Sequence, residues 1–251
     1  MSASVLQETI NANLVRIREC IARACSEVGR DVNEVTLVGV SKTHPVEAIR
    51  AAYAVGVRHF GENRVKEFEE KISFLREMKA NWHFIGHLQS NKALRAVKIF
   101  NSIDSVNSID LALKLDRSVE AARRLPVLLE VRMDQVPTKS GFDLDAVHDG
   151  FEILMAMPHL EIRGLMCIPP YFEQPDQARV FFRGLRNLRD ALIRRFEVQL
   201  PTLSMGMSHD FEAAIEEGST EVRLGTALFG QRLPTHWTQR DREPLDAESG
   251  R

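Results

Sequence analysis

The chain has 251 residues, 44% hydrophobic and 27% charged, a globular profile with ample apolar material for a sizeable core. Lys and Arg number 33 against 35 Asp and Glu, so a net charge of −2 gives no global basic excess for nucleic acid and no acidic tail. Cys20, Cys25 and Cys167 lack CxxC or zinc spacing, the N-terminal MSASVLQETINANL lacks a signal pattern, and no apolar run has bilayer-spanning length, which together lead us to expect a cytoplasmic protein in a reducing compartment.

Residues 5–28 place Leu6, Ile10, Leu14, Ile17, Ile21 and Val28 at helical spacing, and Gly29 supplies the stop. VTLVGV, residues 35–40, is rich in β-branched residues and predicts a buried strand, followed by a helix over 45–55. VRHFGEN predicts a short second strand, with a helix over 64–79. WHFIGH and FNSIDSV predict strands three and four, followed by helices over 91–97 and 108–124. PVLLEVRM predicts the fifth strand, with a helix over 143–157, and EIRGLMCI the sixth. Helix 175–196 carries Phe181, Leu185, Leu188 and Leu192 on one face. LSMGM, a helix over 211–217, and EVRLG leading into TALFG complete the pattern.

Strict alternation of strand and helix implies parallel strands, because each crossover returns the chain to the same end of the sheet. Eight such units fit a (β/α)8 TIM barrel, with residues 5–28 as an extra helix before it. A doubly wound open sheet is the competing architecture, disfavoured because no GxGxxG follows a strand. One domain is expected over residues 1–235, with 236–251 a polar, disordered tail.

The functional end of such a barrel is where strands finish. There the first strand delivers Ser41 and Lys42, the second Gly61, Glu62 and Asn63, and the third His83 and then GHLQSNK. SMGMS and RLGTALFG, after strands seven and eight, offer glycines, hydroxyls and a helix start, the materials of a phosphate cradle. Gly-rich turns with capping Ser and Thr are the plainer account of the same residues. Arg223 alternates with Val222 and Leu224, so it faces the opposite way and needs a partner, either an acidic residue or a ligand. Lys42 is either a solvated strand end or, if desolvation lowers its pKa, a nucleophile able to form a Schiff base with an aldehyde. An aldehyde site, a phosphate cradle and an arginine at one barrel end fit a single ligand, pyridoxal 5′-phosphate (PLP).

The segments LVGVSKTHP, HFGENRVKE, WHFIGHLQSNK, TKSGF, IRGLMCIP and LSMGMSHDFEAAIEEGSTEVRLGTALFG resemble the YggS/PROSC family of pyridoxal phosphate homeostasis proteins, over about residues 5 to 231. The resemblance implies a PLP-binding TIM barrel of fold type III, related to the barrel domain of alanine racemase. It implies Lys42 as the Schiff-base lysine and Asn63 near the cofactor ring. Ser204, with Gly225 and Thr226, matches the phosphate site, Met205 and Gly206 add backbone contacts, and Arg223 faces the pyridine nitrogen. His83, Gln89 and Lys139 lie in matching segments without an assigned role. Arg64 stands where many relatives carry tyrosine, and His209 precedes the familiar Asp210.

The resemblance implies a non-enzymatic carrier that holds PLP and releases it to apoenzymes. The alternative is an amino-acid racemase, which needs a base on each face of the cofactor. In alanine racemase the second base is a tyrosine from another domain, and this chain is expected to end after its eighth unit. Tyr53 sits mid-helix, Tyr171 follows the sixth strand, and His87 is the best-placed substitute. An arginine at the pyridine nitrogen stays charged and weakens the ring as an electron sink, which disfavours transamination. An aldolase-type barrel lacks an acid–base partner beside Lys42, and a metal-dependent barrel lacks ligands at recognisable spacing. A monomer without nucleic-acid or membrane partners is the default expectation.

Overall fold

The computed structural model describes residues 3–134 and 140–231. Helix α1 (Ala3–Glu27) buries Ile10, Leu14, Ile17, Ile21, Ala24 and Cys25, one apolar stripe at helical spacing. Its end is closed by Gly29 at φ 67° and by the Arg30 N–H, which donates to the Cys25 carbonyl at 2.9 Å.

Eight parallel strands follow: β1 (Thr36–Val40), β2 (His59–Glu62), β3 (Asn81–Phe84), β4 (Ser102–Val106), β5 (Leu125–Glu130), β6 (Leu160–Met166), β7 (Thr202–Met207) and β8 (Glu221–Leu224). They close into a barrel in chain order, and β1 pairs with both β2 and β8, through Val38↔His59 and Val38↔Arg223. The predicted (β/α)8 architecture is therefore the observed one.

The crossovers are α2 (Val46–Ala54), α3 (Val65–Ile72), α4 (Ala93–Ile99), α5 (Ile109–Asp116), α6 (Leu144–Met155), α7 (Arg179–Phe196) and α8 (Phe211–Glu216), and the short α9 (Thr226–Phe229) follows β8. Two are shorter than their sequence pattern. After α3 the Phe74 and Leu75 N–H groups bond three residues back, and Leu75 turns into the core at 1% exposure. After α5, Ser118 and Val119 both bond back to Leu115, which turns the chain out of the helix. Residues 175–178 form a 3-10 turn ahead of α7 rather than part of it. The tail expected to be disordered, residues 236–251, lies outside the described residues.

Alternation along each strand separates two cores. Phe60, Trp82, Phe84, Ile103, Leu129, Leu165, Leu203, Met205, Val222 and Leu224 belong to the apolar layer between sheet and helices. Phe68 of α3 joins them, its ring 4.8 Å from those of Trp82 and Phe100. Val38, Val40, Leu128 and Met166 are also buried but lie outside that cluster, on the inner face. Buried His83, Asp104, Glu130, Ser204, Glu221 and Arg223 share the barrel interior with them, so this barrel is filled by charge as well as by hydrocarbon.

Candidate functional site

The closing pair of strands joins residues far apart in sequence. A Cβ on Gly225 would sit 3.6 Å from that of Val40, two residues before Lys42. The end of β1 and the turn after β8 therefore form one side of the barrel mouth, with Lys42 half-buried, Gly225 half-buried and Thr226 exposed.

Ser41 is wholly buried. Its N–H donates to the Gly61 carbonyl at 2.9 Å, and its hydroxyl donates to Glu62 Oε1 at 2.8 Å. Thr43, on the other side of Lys42, has φ 65°, a left-handed conformation costly for a side chain branched at Cβ. Lys71 and Glu67 of α3 reach this turn. The Lys71 ammonium bridges Glu67 at 2.6 Å and Glu62 at 3.2 Å. Burial raises the Glu62 pKa to about 7 despite Lys71 and Ser41, and its Oε2 has no hydrogen-bond partner.

Asn63 stands beside this group, with a buried Oδ1 that lacks a hydrogen-bond partner among the described residues. Its backbone is pressed against Gly86, where a Cβ would lie 2.4 Å from the Asn63 carbonyl oxygen, so only glycine fits there. The Ser105 hydroxyl fixes the same loop by donating to the Gly86 carbonyl at 2.6 Å.

Arg223, 4% exposed, lies in the floor. Its guanidinium donates to Ser204 Oγ at 2.5 Å and to the Cys167 carbonyl at 2.8 Å. The hydroxyl of Ser204 thus faces the arginine, and the Met205 side chain lies in the layer under the helices. Gly206 has φ 95°, and a Cβ there would come 2.6 Å from that of Ala214. Ser208 Oγ accepts the Ala227 N–H at 3.1 Å and ties the SMGMS turn to the start of α9. Ser208 is the second serine of SMGMS, the turn in which the resemblance assigns Ser204 to the phosphate site.

Deeper in the barrel, His83 Nδ1 bonds Asp104 Oδ2 at 2.7 Å and lies 3.9 Å from Glu221 Oε2. Burial alone would lower the His83 pKa, but the Asp104 carboxylate, with help from Glu221, overrides it and raises the pKa to about 9. His59, whose Nδ1 lies 2.9 Å from His83 Nε2, is pushed down to about 4 by burial and by that neighbour. Protonated His83 therefore donates from both nitrogens, to Asp104 and to neutral His59. Burial and Asp104 raise the Glu221 carboxyl. His83, Asp104 and Glu221 also offer ligand atoms within 4.8 Å of one another, a grouping drawn from three strands that sequence spacing did not reveal.

The remaining sequence candidates are peripheral. His87 is exposed, with Nδ1 3.2 Å from Asn107 Nδ2. Gln89 is exposed ahead of a 3-10 turn. The Tyr53 hydroxyl accepts the Lys79 N–H at 3.2 Å, and Arg58 stacks over its ring. Tyr171 is 78% exposed, with His209 against it at 5.4 Å. Arg64 precedes α3 as its N-cap, and Asp210 Oδ1 accepts the Met207 N–H at 2.6 Å. Lys139 lies outside the described residues.

A barrel with this polar mouth matches the family described as "Alanine racemase, N-terminal domain" over residues 10–233. The chain belongs to that family. Within it, the similarity is to proteins named "Pyridoxal phosphate homeostasis protein". The one from Aquifex aeolicus is 46% identical over 87% of this chain and 96% of that protein. The one from Pseudomonas aeruginosa is 41% identical over 89% of this chain and 96% of its own length. The structure of PipY from Synechococcus elongatus, solved with PLP bound, superimposes with a TM-score of 0.75 at 39% identity, covering 84% of this chain and all of that one. The family expected from the motifs is thus the family found.

Proposed function

We propose that this chain is a PLP homeostasis protein that holds the cofactor at the barrel mouth, reversibly, through Lys42. The observation that carries this reading is the β1–β8 closure, which joins the Lys42 end of the chain to Arg223, Gly225 and Thr226. The residues present fit the cofactor's chemistry. Asn63 has an amide oxygen with no protein partner, and Gly225, Thr226 and Ser208 supply uncharged donors suited to an anion. When bound, PLP supplies an aldehyde that an amine can capture. Lys42 would be the amine that captures that aldehyde, reversibly and with water as the only other product. Gly225, Thr226 and the SMGMS turn hold the phosphate, and Asn63 lies near the ring. The Arg223 guanidinium, beside the ring nitrogen, would disfavour a proton there.

The role proposed is storage and delivery to apoenzymes in the cytoplasm, by a monomer, without turnover. The names of the relatives support it, as does the packing of Tyr53 against Arg58 and Lys79. The test is an absorbance spectrum of the chain reconstituted with PLP. A visible band that is lost in Lys42→Ala supports the reading, and a chain that stays colourless with PLP sinks it. Incubation with L-alanine in deuterated water tests for turnover: deuterium at Cα would overturn the reading without turnover, and D-alanine among the products would establish a racemase.

A further inference from the structure

Two peptide groups flank Lys42, and α3 grips both. On one side the Lys71 ammonium donates to the Ser41 carbonyl at 3.3 Å. On the other, the Thr43 N–H donates to Glu67 Oε1 at 2.7 Å. Lys71 and Glu67 bond each other at 2.6 Å, four residues apart on one face of the helix. The two clamps are therefore a single charged unit, seated on buried Glu62. Thr43 is one of two residues other than glycine with positive φ among the described residues, and it stands next to the proposed cofactor lysine. Such a conformation persists only where surrounding bonds hold it.

We propose that Glu67 and Lys71 are positioning residues for Lys42: they fix both of its flanking peptide groups, keep Thr43 left-handed, and so set how long PLP is retained. The proposal rests on Lys42 being the residue that holds PLP. With both peptides fixed, the lysine stem leaves the strand in one direction. Without the clamp, Thr43 relaxes to an ordinary conformation and Lys42 swings with it. The clamp touches neither the phosphate turn nor Arg223, so its effect is on retention through Lys42.

The experiment follows release of PLP from the saturated full-length protein into an aldehyde trap, read as decay of the visible band. Glu67→Ala is expected to release PLP about tenfold faster, the scale of freeing one left-handed residue. Glycine adopts that conformation without strain, so Glu67→Ala made in a Thr43→Gly background is expected to change release by no more than about twofold. Lys71→Met should accelerate release and Lys71→Arg should restore it. Glu67→Gln, nearly isosteric, serves if the alanine variant does not fold, and is expected to accelerate release to a smaller extent. Native release rates in Glu67→Ala, or in Glu67→Gln where it replaces that variant, and in Lys71→Met would overturn the proposal. So would an equal effect of the Glu67 substitution in the native and the Thr43→Gly backgrounds. Lys42→Ala separates the two readings: a visible band that persists there refutes the role of Lys42 itself, whatever Glu67 and Lys71 do.

Discussion

The barrel interior and the barrel mouth are both polar, but they are built on opposite rules. In the interior, charge meets charge: His83 with Asp104 and Glu221, and Arg223 in the field of Glu130. In the upper mouth, around Asn63, Ser208, Gly225 and Thr226, the groups are amides, hydroxyls and backbone. Paired charges inside a barrel bring structural commitment, because removing one partner strands the other. Neutral donors at a rim cost little to leave in water, so they can wait for a ligand. In the proposed reading, the interior serves stability and the mouth serves binding.

The sharpest way to break this contrast is Arg223→Met. It strips Ser204 Oγ and the Cys167 carbonyl of their donor and removes a buried cation that favours the charged forms of Glu130 and, beside His83, Glu221, and it should cost about 3–5 kcal/mol in denaturant unfolding, well beyond any rim substitution. Next in size is the pH response of His83. Its folded pKa lies above the ordinary value of 6.5, at about 9, so the folded chain holds this proton more tightly than the unfolded chain. The resulting stability is fully present below pH 6.5 and is lost as pH rises through about 9, a fall on the order of 3 kcal/mol. Urea unfolding across that window should show the fall in the native chain and a much shallower one in His83→Asn, where Glu62 still titrates near pH 7. Gly206→Ala sits between the regions, with positive φ and a Cβ too close to Ala214. It should cost about 2 kcal/mol and weaken PLP retention as well. The smallest effect belongs to the rim: Thr226→Val should leave the unfolding midpoint unchanged and weaken PLP affinity by only about fivefold, measured by titration of the visible band.

Most of the scaffold was legible because each strand and helix announces itself locally. The period of α1 and the β-branched run of β1 needed nothing beyond their own residues. Helix ends were less legible: the exits from α3 and α5 depend on Leu75 and Leu115 seating in the core, which is a tertiary event. In the site, Lys42 was visible as a polar residue closing an apolar strand. Strand alternation, applied to β8, put Arg223 inside. Applied to β7, the same rule sends Ser204 inward and Met205 outward, which leaves Ser208 as the serine tied to α9. The clamp on Thr43 and the His83 cluster were not legible. Their members come from separate elements: pairing of β1 with β2 brings α3 to Thr43, pairing of β3 with β4 brings Asp104 to His83, and the closed barrel adds Glu221.

Ring closure has a consequence for when the site comes into being. Lys42 is made early in synthesis and Gly225 near the end, and their strands meet in the pair that closes the barrel, β1 with β8. Such a contact between distant parts of the chain carries the largest entropic penalty in the fold and forms late. A ligand gripped by both strands binds only the sealed cylinder and stabilises it by mass action. Uptake of the vitamin would then act as a latch on the finished barrel, and its first binding would mark the moment the chain completes its circle.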